Sequence, residues 1–335
     1  MRVRPDPGFG YEWSEQAFGW QDLMLSTTNT FVCPAHTAGE APFRFQAFTM
    51  RDVHSSAARS YPRLTLSLRA PVEIENLLPF DVQYRLFDKN LNHNWSSFLR
   101  KGGVSPVHVV ETSHLLLLSV ELDYSVYSPS EFAIIASDNP DDFPVESVLQ
   151  LADSGNHRLE LNLHYFVYPD SGGAFKVQIY APYIILNQSQ LPLGLRARTW
   201  GGGSRVVAGQ EQDSNPLASG QCTPFLLSHG HESHPRFLLR AGDSMLSKPL
   251  SFDVIGSEFE VTVLSASGDR EAHLGLQVED GLGRFKLSKV VKLTPRYIIW
   301  NTLNEALVLR EDGGGDSVHV PAGAQIPLHL SLIHI

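Results

Sequence analysis

The sequence predicts an all-β fold: tandem β-sandwich repeats of about 110 residues, with antiparallel sheets. Two observations carry this expectation. Short segments alternate apolar and polar residues, bounded by Pro, Gly, Asn or Asp, and no stretch shows helical periodicity. In addition, one pattern of fifteen to sixteen residues occurs three times at nearly constant spacing.

Along the chain, the first 63 residues, with "GYEWSEQAFGWQDLML", read as the tail of a preceding β repeat. Strands follow at "LTLSLRA" (64–70), "HRLELNLHYFVY" (157–168), "AFKVQIYA" (174–181), "FEVTVLSA" (259–266) and "HLGLQVED" (273–280). Leu159, Leu161 and Leu163 fall on one face, and Glu160 and Asn162 on the other, which is the period of a half-buried strand. Turn signals separate these runs: "YPDSGG", "WGGGS", "EDGLG" and "EDGGGD". The glycine runs lack the Gly-Lys-Ser/Thr ending of a phosphate loop, so they are expected to be hairpin tips.

The recurring pattern is "PVEIENLLPFDVQYR" from Pro71, "PYIILNQSQLPLGLR" from Pro182 and "PRYIIWNTLNEALVLR" from Pro295. Its fixed point is an asparagine, Asn76, Asn187 or Asn301, and the intervals between them are 111 and 114 positions. Apolar residues stand four and two before each asparagine, and six and eight after it; Arg85, Arg196 and Arg310 stand nine after. The asparagine is in phase with the apolar residues before it, so its amide is expected to point into the core. A buried polar group needs partners, and backbone groups of the following turn ("LLPFD", "QSQLP", "TLNEA") are the expected ones, with direct contact to a bound peptide as the alternative. The arginines are out of phase and are expected to face solvent, with a groove for acidic or carbonyl groups of a peptide as the alternative.

Composition narrows the function classes. With 26 basic and 36 acidic residues the net charge is −10, which repels phosphate backbones and argues against nucleic-acid binding and against a broad electrostatic footprint on anionic lipid. The two cysteines, Cys33 and Cys222, provide no disulfide framework. The N-terminus has no signal-peptide core, and "LLLLSV" is too short to span a bilayer. The chain reads as soluble and cytoplasmic. "HGHESH" groups His229, His231, Glu232 and His234, but beside Gly230 and Pro235 it reads as a surface loop, and no metal is assigned to it. No catalytic signature or cofactor motif stands out, so no enzyme activity or cofactor is expected. The tryptophans at 13, 20, 95, 200 and 300 are expected in module cores or module contacts.

Longer phrases carry a resemblance. "ENLLPFDVQYRLFDK", "WSSFLRKGGVSPVHVVETSHLLLLSVEL", "HYFVYPDSGGAFKVQIYAPYIILN", "SKPLSFDVIGSEFEVTV" and "HLGLQVEDGLGRFKLSKVVKLTPRYIIWNTL" resemble the vacuolar protein sorting-associated protein 13 family, over most of 64–310. That family comprises long bridge-like lipid transfer proteins at membrane contact sites. The resemblance places the chain in their adaptor-binding region, whose sandwich repeats each carry a characteristic asparagine. It implies a non-enzymatic module of protein sorting to the vacuole and of lipid transport, binding proline-containing peptides of adaptor proteins. Contact with organelle membranes would be peripheral and indirect, through adaptors. The modules are expected at 64–178 and 179–291, with a truncated repeat at 292–335, so the chain is expected to be a fragment. The rival expectation is a structural spacer contacting the remainder of the transporter, with the peptide pocket beyond Ile335.

Overall fold

The computed structural model describes residues 1–52, 63–123, 125–169, 171–210, 215–217, 222–230, 235–268, 271–310 and 317–328. They are almost wholly strands and turns, as the alternation predicts. The strands are β1 (Thr28–Cys33), β2 (Phe43–Arg51), β3 (Leu64–Arg69), β4 (Val72–Asn76), β5 (Val82–Asp88) and β6 (His93–Leu99). They continue through β7 (Val104–Val107), β8 (Leu116–Leu122), β9 (Ala133–Ala136), β10 (Val148–Ala152), β11 (Arg158–Val167) and β12 (Phe175–Tyr180). Then come β13 (Tyr183–Asn187), β14 (Leu193–Arg198), β15 (Ser204–Val206), β16 (Phe225–Leu227), β17 (Phe237–Ala241) and β18 (Glu258–Leu264). The last are β19 (Glu271–Asp280), β20 (Lys289–Pro295), β21 (Tyr297–Trp300), β22 (Leu307–Leu309), β23 (Val318–Val320) and β24 (Gln325–Leu328).

The chain divides into two compact units, one of residues 1–123, 129–149 and 162–180, the other of 124–128, 150–161 and 181–335. In the first unit, β1, β2 and β3 form an antiparallel sheet and β6-β5-β8-β9 a four-stranded one. The strands β12, β4 and β7 belong to a five-stranded sheet with β10 and β11. Tyr84, Ile74, Leu86 and Leu118 are buried in this unit. In the second unit, the five-stranded sheet β16-β13-β20-β19-β18 faces the three-stranded sheet β15-β14-β17. Alternate residues of both sheets, including Ile185, Leu195, Phe237, Leu239, Val261, Leu276 and Leu293, form its core. A five-residue strand such as β13 reads B-B-B-i-B in burial because it is central in its sheet.

Three findings correct the expectations. The sheets are not purely antiparallel: β4 pairs parallel with β12, Val72 opposite Phe175 through Asn76 opposite Ile179. In the second unit β13 pairs parallel with β20, Tyr183 opposite Lys289 through Asn187 opposite Leu293. Parallel partners need a long crossover, and here about a hundred residues intervene, which alternation within a strand does not register. Second, a short helix, Trp20–Leu25, lies in the N-terminal segment; the Asp22 carboxylate accepts from the Gly19 amide at 2.7 Å and holds its first turn. Third, Trp13, Trp20, Trp200 and Trp300 are exposed, and only Trp95 is tucked in, edge-on to Tyr84 at 5.3 Å. The tips at "YPDSGG", "WGGGS" and "EDGLG" do connect paired strands, while "EDGGGD" lies outside the described residues.

Candidate functional site

Asn76, Asn187 and Asn301 are buried to 0%, 0% and 1% exposure, and three bonds are common to all of them. Asn187 Nδ2 donates to Leu191 O at 2.8 Å and to Leu217 O at 3.0 Å, while its Oδ1 accepts from the Ser189 amide at 3.1 Å and the Ser189 hydroxyl at 2.7 Å. Asn76 Nδ2 donates to Phe80 O (2.7 Å) and Leu99 O (3.3 Å), and Oδ1 accepts from Leu78 N (3.0 Å). Asn301 Nδ2 donates to Glu305 O (2.8 Å), Val320 O (3.0 Å) and Pro321 O (3.0 Å), and Oδ1 accepts from Leu303 N (3.0 Å). The oxygen therefore closes an Asx turn two residues on, and the nitrogen takes the carbonyl four residues on. The other carbonyl comes from a different strand or loop altogether.

The backbone repeats the pattern. Leu77 N donates to Ile179 O at 2.9 Å, and Gln188 N donates to Leu293 O at 2.7 Å, each just past the parallel pairing. In the Asn187 turn, Gln190 has φ 64°, a left-handed conformation that a non-glycine residue adopts at a cost. Each amide thus joins an incoming strand, the turn after it and a third segment.

The third partner escapes sequence reading. Leu99, Leu217 and Val320 lie 23, 30 and 19 residues after their asparagines, so no constant spacing marks them. They act through backbone carbonyls, which any residue type supplies.

The arginines do not join the asparagines. Arg85 and Arg310 are exposed, and Arg196 is half-buried with its Nε donating to Ser204 Oγ at 3.0 Å. Arg196 lines a depression of about 270 Å³ with Arg240, Gln210 and Asn215. There the Gln210 side-chain amide takes the place of a strand: its Oε1 accepts from Leu195 N and its Nε2 donates to Leu195 O at 2.7 Å. A free stretch of strand edge is thereby closed by a side chain.

Two further polar points lie in the second unit. Asp153 is buried and accepts from Gly209 N at 2.8 Å, from His157 N at 2.8 Å and from the His157 ring at 3.2 Å. Burial pushes its carboxyl up, but these hydrogen bonds and the imidazole outweigh burial and hold it below the usual aspartate value. Tyr127 donates to Ala208 O at 3.2 Å, and a Cβ at Gly209 would stand 2.3 Å from the Tyr127 hydroxyl, which explains the glycine there. Burial, with Asp253 accepting its hydroxyl at 3.0 Å, pushes the Tyr183 phenol up. Of the histidine cluster, His229 is 5.7 Å from the Tyr183 ring centroid; His231, Glu232 and His234 lie outside the described residues. Among the described residues no group of three or more His, Cys, Asp or Glu is placed to hold a metal ion. No helix among them is long and apolar enough to cross a membrane.

Strand β18 ends its five-stranded sheet, and a shallow groove of about 400 Å³ crosses the sheet face from β18 over β19 to the end of β20, lined by Glu258, Glu260, Gly275, Gln277, Thr294 and Arg296. Glu260 pairs there with both Arg296 and His273.

The described residues thus form an all-β array in which three turns are each clasped by a buried asparagine amide. The chain belongs to the vacuolar-sorting associated protein 13 family: the model of that family's adaptor binding domain matches residues 1–332. It is 42% identical over 331 residues to the intermembrane lipid transfer protein VPS13 of Chaetomium thermophilum, covering 98% of this chain and 10% of that protein. It is 24% identical over 275 residues to the human intermembrane lipid transfer protein VPS13D, covering 78% of this chain and 6% of that one. The Drosophila melanogaster Vps13D is 23% identical over 257 residues. The chain thus spans a tenth or less of the length of these relatives.

Proposed function

We propose that this chain is the adaptor-binding, organelle-targeting part of a lipid transfer protein at membrane contact sites. The observation that carries this reading is the match of the adaptor binding domain along 1–332. The three asparagine clasps support the view that it is built of tandem modules, each pinned through one amide. An extended, proline-containing adaptor segment adds to a sheet edge, main chain to main chain; proline keeps the segment extended and lowers its ordering cost. Strand β18, the last of its five-stranded sheet, is the edge we assign. The test is a pull-down of the folded chain with proline-containing adaptor peptides, and a Glu260→Pro variant in β18. Capture that is lost in the variant supports the reading; no capture by the folded chain removes it.

A second reading, a spacer whose repeats contact the rest of the transporter, is favoured by edges the chain closes itself. Gln210 fills the edge at Leu195, Glu146 N donates to Ile134 O at 2.8 Å, and Met245 N donates at 2.7 Å to the carbonyl of Leu264, the last residue of β18, beyond the stretch around Glu260. Crosslinking to the neighbouring transporter region, with no peptide capture, decides for it.

A further inference from the structure

Strand directions bring three loops of the second unit to one end of its sandwich. Tyr183 begins β13 opposite Lys289, and Asp280 ends β19 opposite the same lysine. The loop before β18 joins this end, since Gly256 N donates to Val278 O at 2.8 Å. In the facing sheet, β14 starts beside the Asn187 turn and runs away from it, so the β14–β15 tip lies at the Tyr183 end. The Tyr183 ring confirms the pairing of ends: it is 6.0 Å from Phe237, which sits opposite Ala197 near the close of β14.

Each of these loops carries large apolar side chains beside glycine. Trp200, before three glycines, is fully exposed; Leu282, between Gly281 and Gly283, is 84% exposed; Val254 and Ile255, before Gly256, are 66% and 46% exposed. Exposed single hydrophobes are ordinary, but four on three neighbouring tips of one sandwich end are not. Charged side chains of both signs surround these tips among the described residues. Arg198, Arg205, Arg236 and Lys286 are exposed. Of the acids, Glu279 is 2.7 Å from Lys292, Asp253 accepts from Tyr183 and Ser251, Glu258 accepts from Gln277, and Asp280 is exposed.

We infer that this end is a membrane-contact surface, in which Trp200, Val254, Ile255 and Leu282 enter the interface of an anionic bilayer while the arginines and Lys286 meet its headgroups. Tryptophan favours that boundary because its ring is amphipathic, and basic residues beside apolar tips add attraction to anionic lipid. The contact is direct, where the sequence pointed only to an indirect one through adaptors. It is local and does not need a basic molecule: the net charge of −10 is a total over all 335 residues.

The test is co-sedimentation of the whole chain with vesicles of phosphatidylcholine alone, and with vesicles containing about one-third phosphatidylserine. Binding to the anionic vesicles, weakened by salt, is expected. The pair Trp200→Ser and Leu282→Ser lowers it by about tenfold or more, and Arg198→Gln or Arg205→Gln by about fivefold each. Unchanged circular dichroism and unfolding midpoint show that these variants fold. No binding to anionic vesicles, binding that the tip variants leave intact, or equal binding to neutral vesicles would each overturn the inference. Peptide pull-down on the same variants is expected to be unchanged, so the adaptor reading stands or falls separately.

Discussion

At the scale of the residue, the chemistry of the fold concentrates in one side-chain type. An asparagine offers both a donor and an acceptor on a short stem, so at 187 it bonds two carbonyls and the Ser189 amide from inside the core. Alanine at this position leaves those groups buried and unpaired, and we expect Asn187→Ala to lower stability by about 2–4 kcal/mol in urea unfolding. Asn187→Asp is expected to be at least as damaging, since it turns a carboxylate oxygen toward Leu191 O and Leu217 O. An unchanged midpoint in both variants would refute the clasp. The inward direction of this amide and its bond to the turn carbonyl were legible from phase and from turn chemistry. The bond to Leu217 was not, because a backbone carbonyl thirty residues away leaves no mark in residue type.

At the scale of the element, period-two alternation located the strands well: "HRLELNLHYFVY" is β11 and "AFKVQIYA" contains β12. Their partners were a different matter, since a strand has the same alternation whether its neighbour runs with it or against it. The turn from β10 to β11 shows how an element is held at a distance from its own sheet. Its Asp153 is buried and takes amides from both His157 and Gly209. Because the folded state holds this carboxyl below its unfolded value of about 4, the stability it contributes is complete above that pH and is lost as pH falls through the folded value. Asp153→Asn is therefore expected to be less stable than the parent at pH 7. The gap between their urea midpoints should narrow below about pH 4. A gap that is constant with pH would exclude the carboxylate as its source.

At the scale of the molecule, two compact units each carry their own core, and residues 124–128 and 150–161 count with the second although their neighbours in sequence count with the first. We expect more than one cooperative transition in calorimetry, with a van't Hoff enthalpy smaller than the calorimetric one; equal values would mean a single folding unit. The sequence by itself determined the all-β class, strands such as β3, β11, β12, β18 and β19, and the inward asparagines, because these follow from local phase and turn chemistry along a few residues. Only the tertiary structure decided the parallel pairings, the third carbonyl at each clasp and the gathering of Trp200, Val254 and Leu282 at one end. These depend on which distant segments meet, and residues far apart in the chain carry no shared local signal of the surface they come to form.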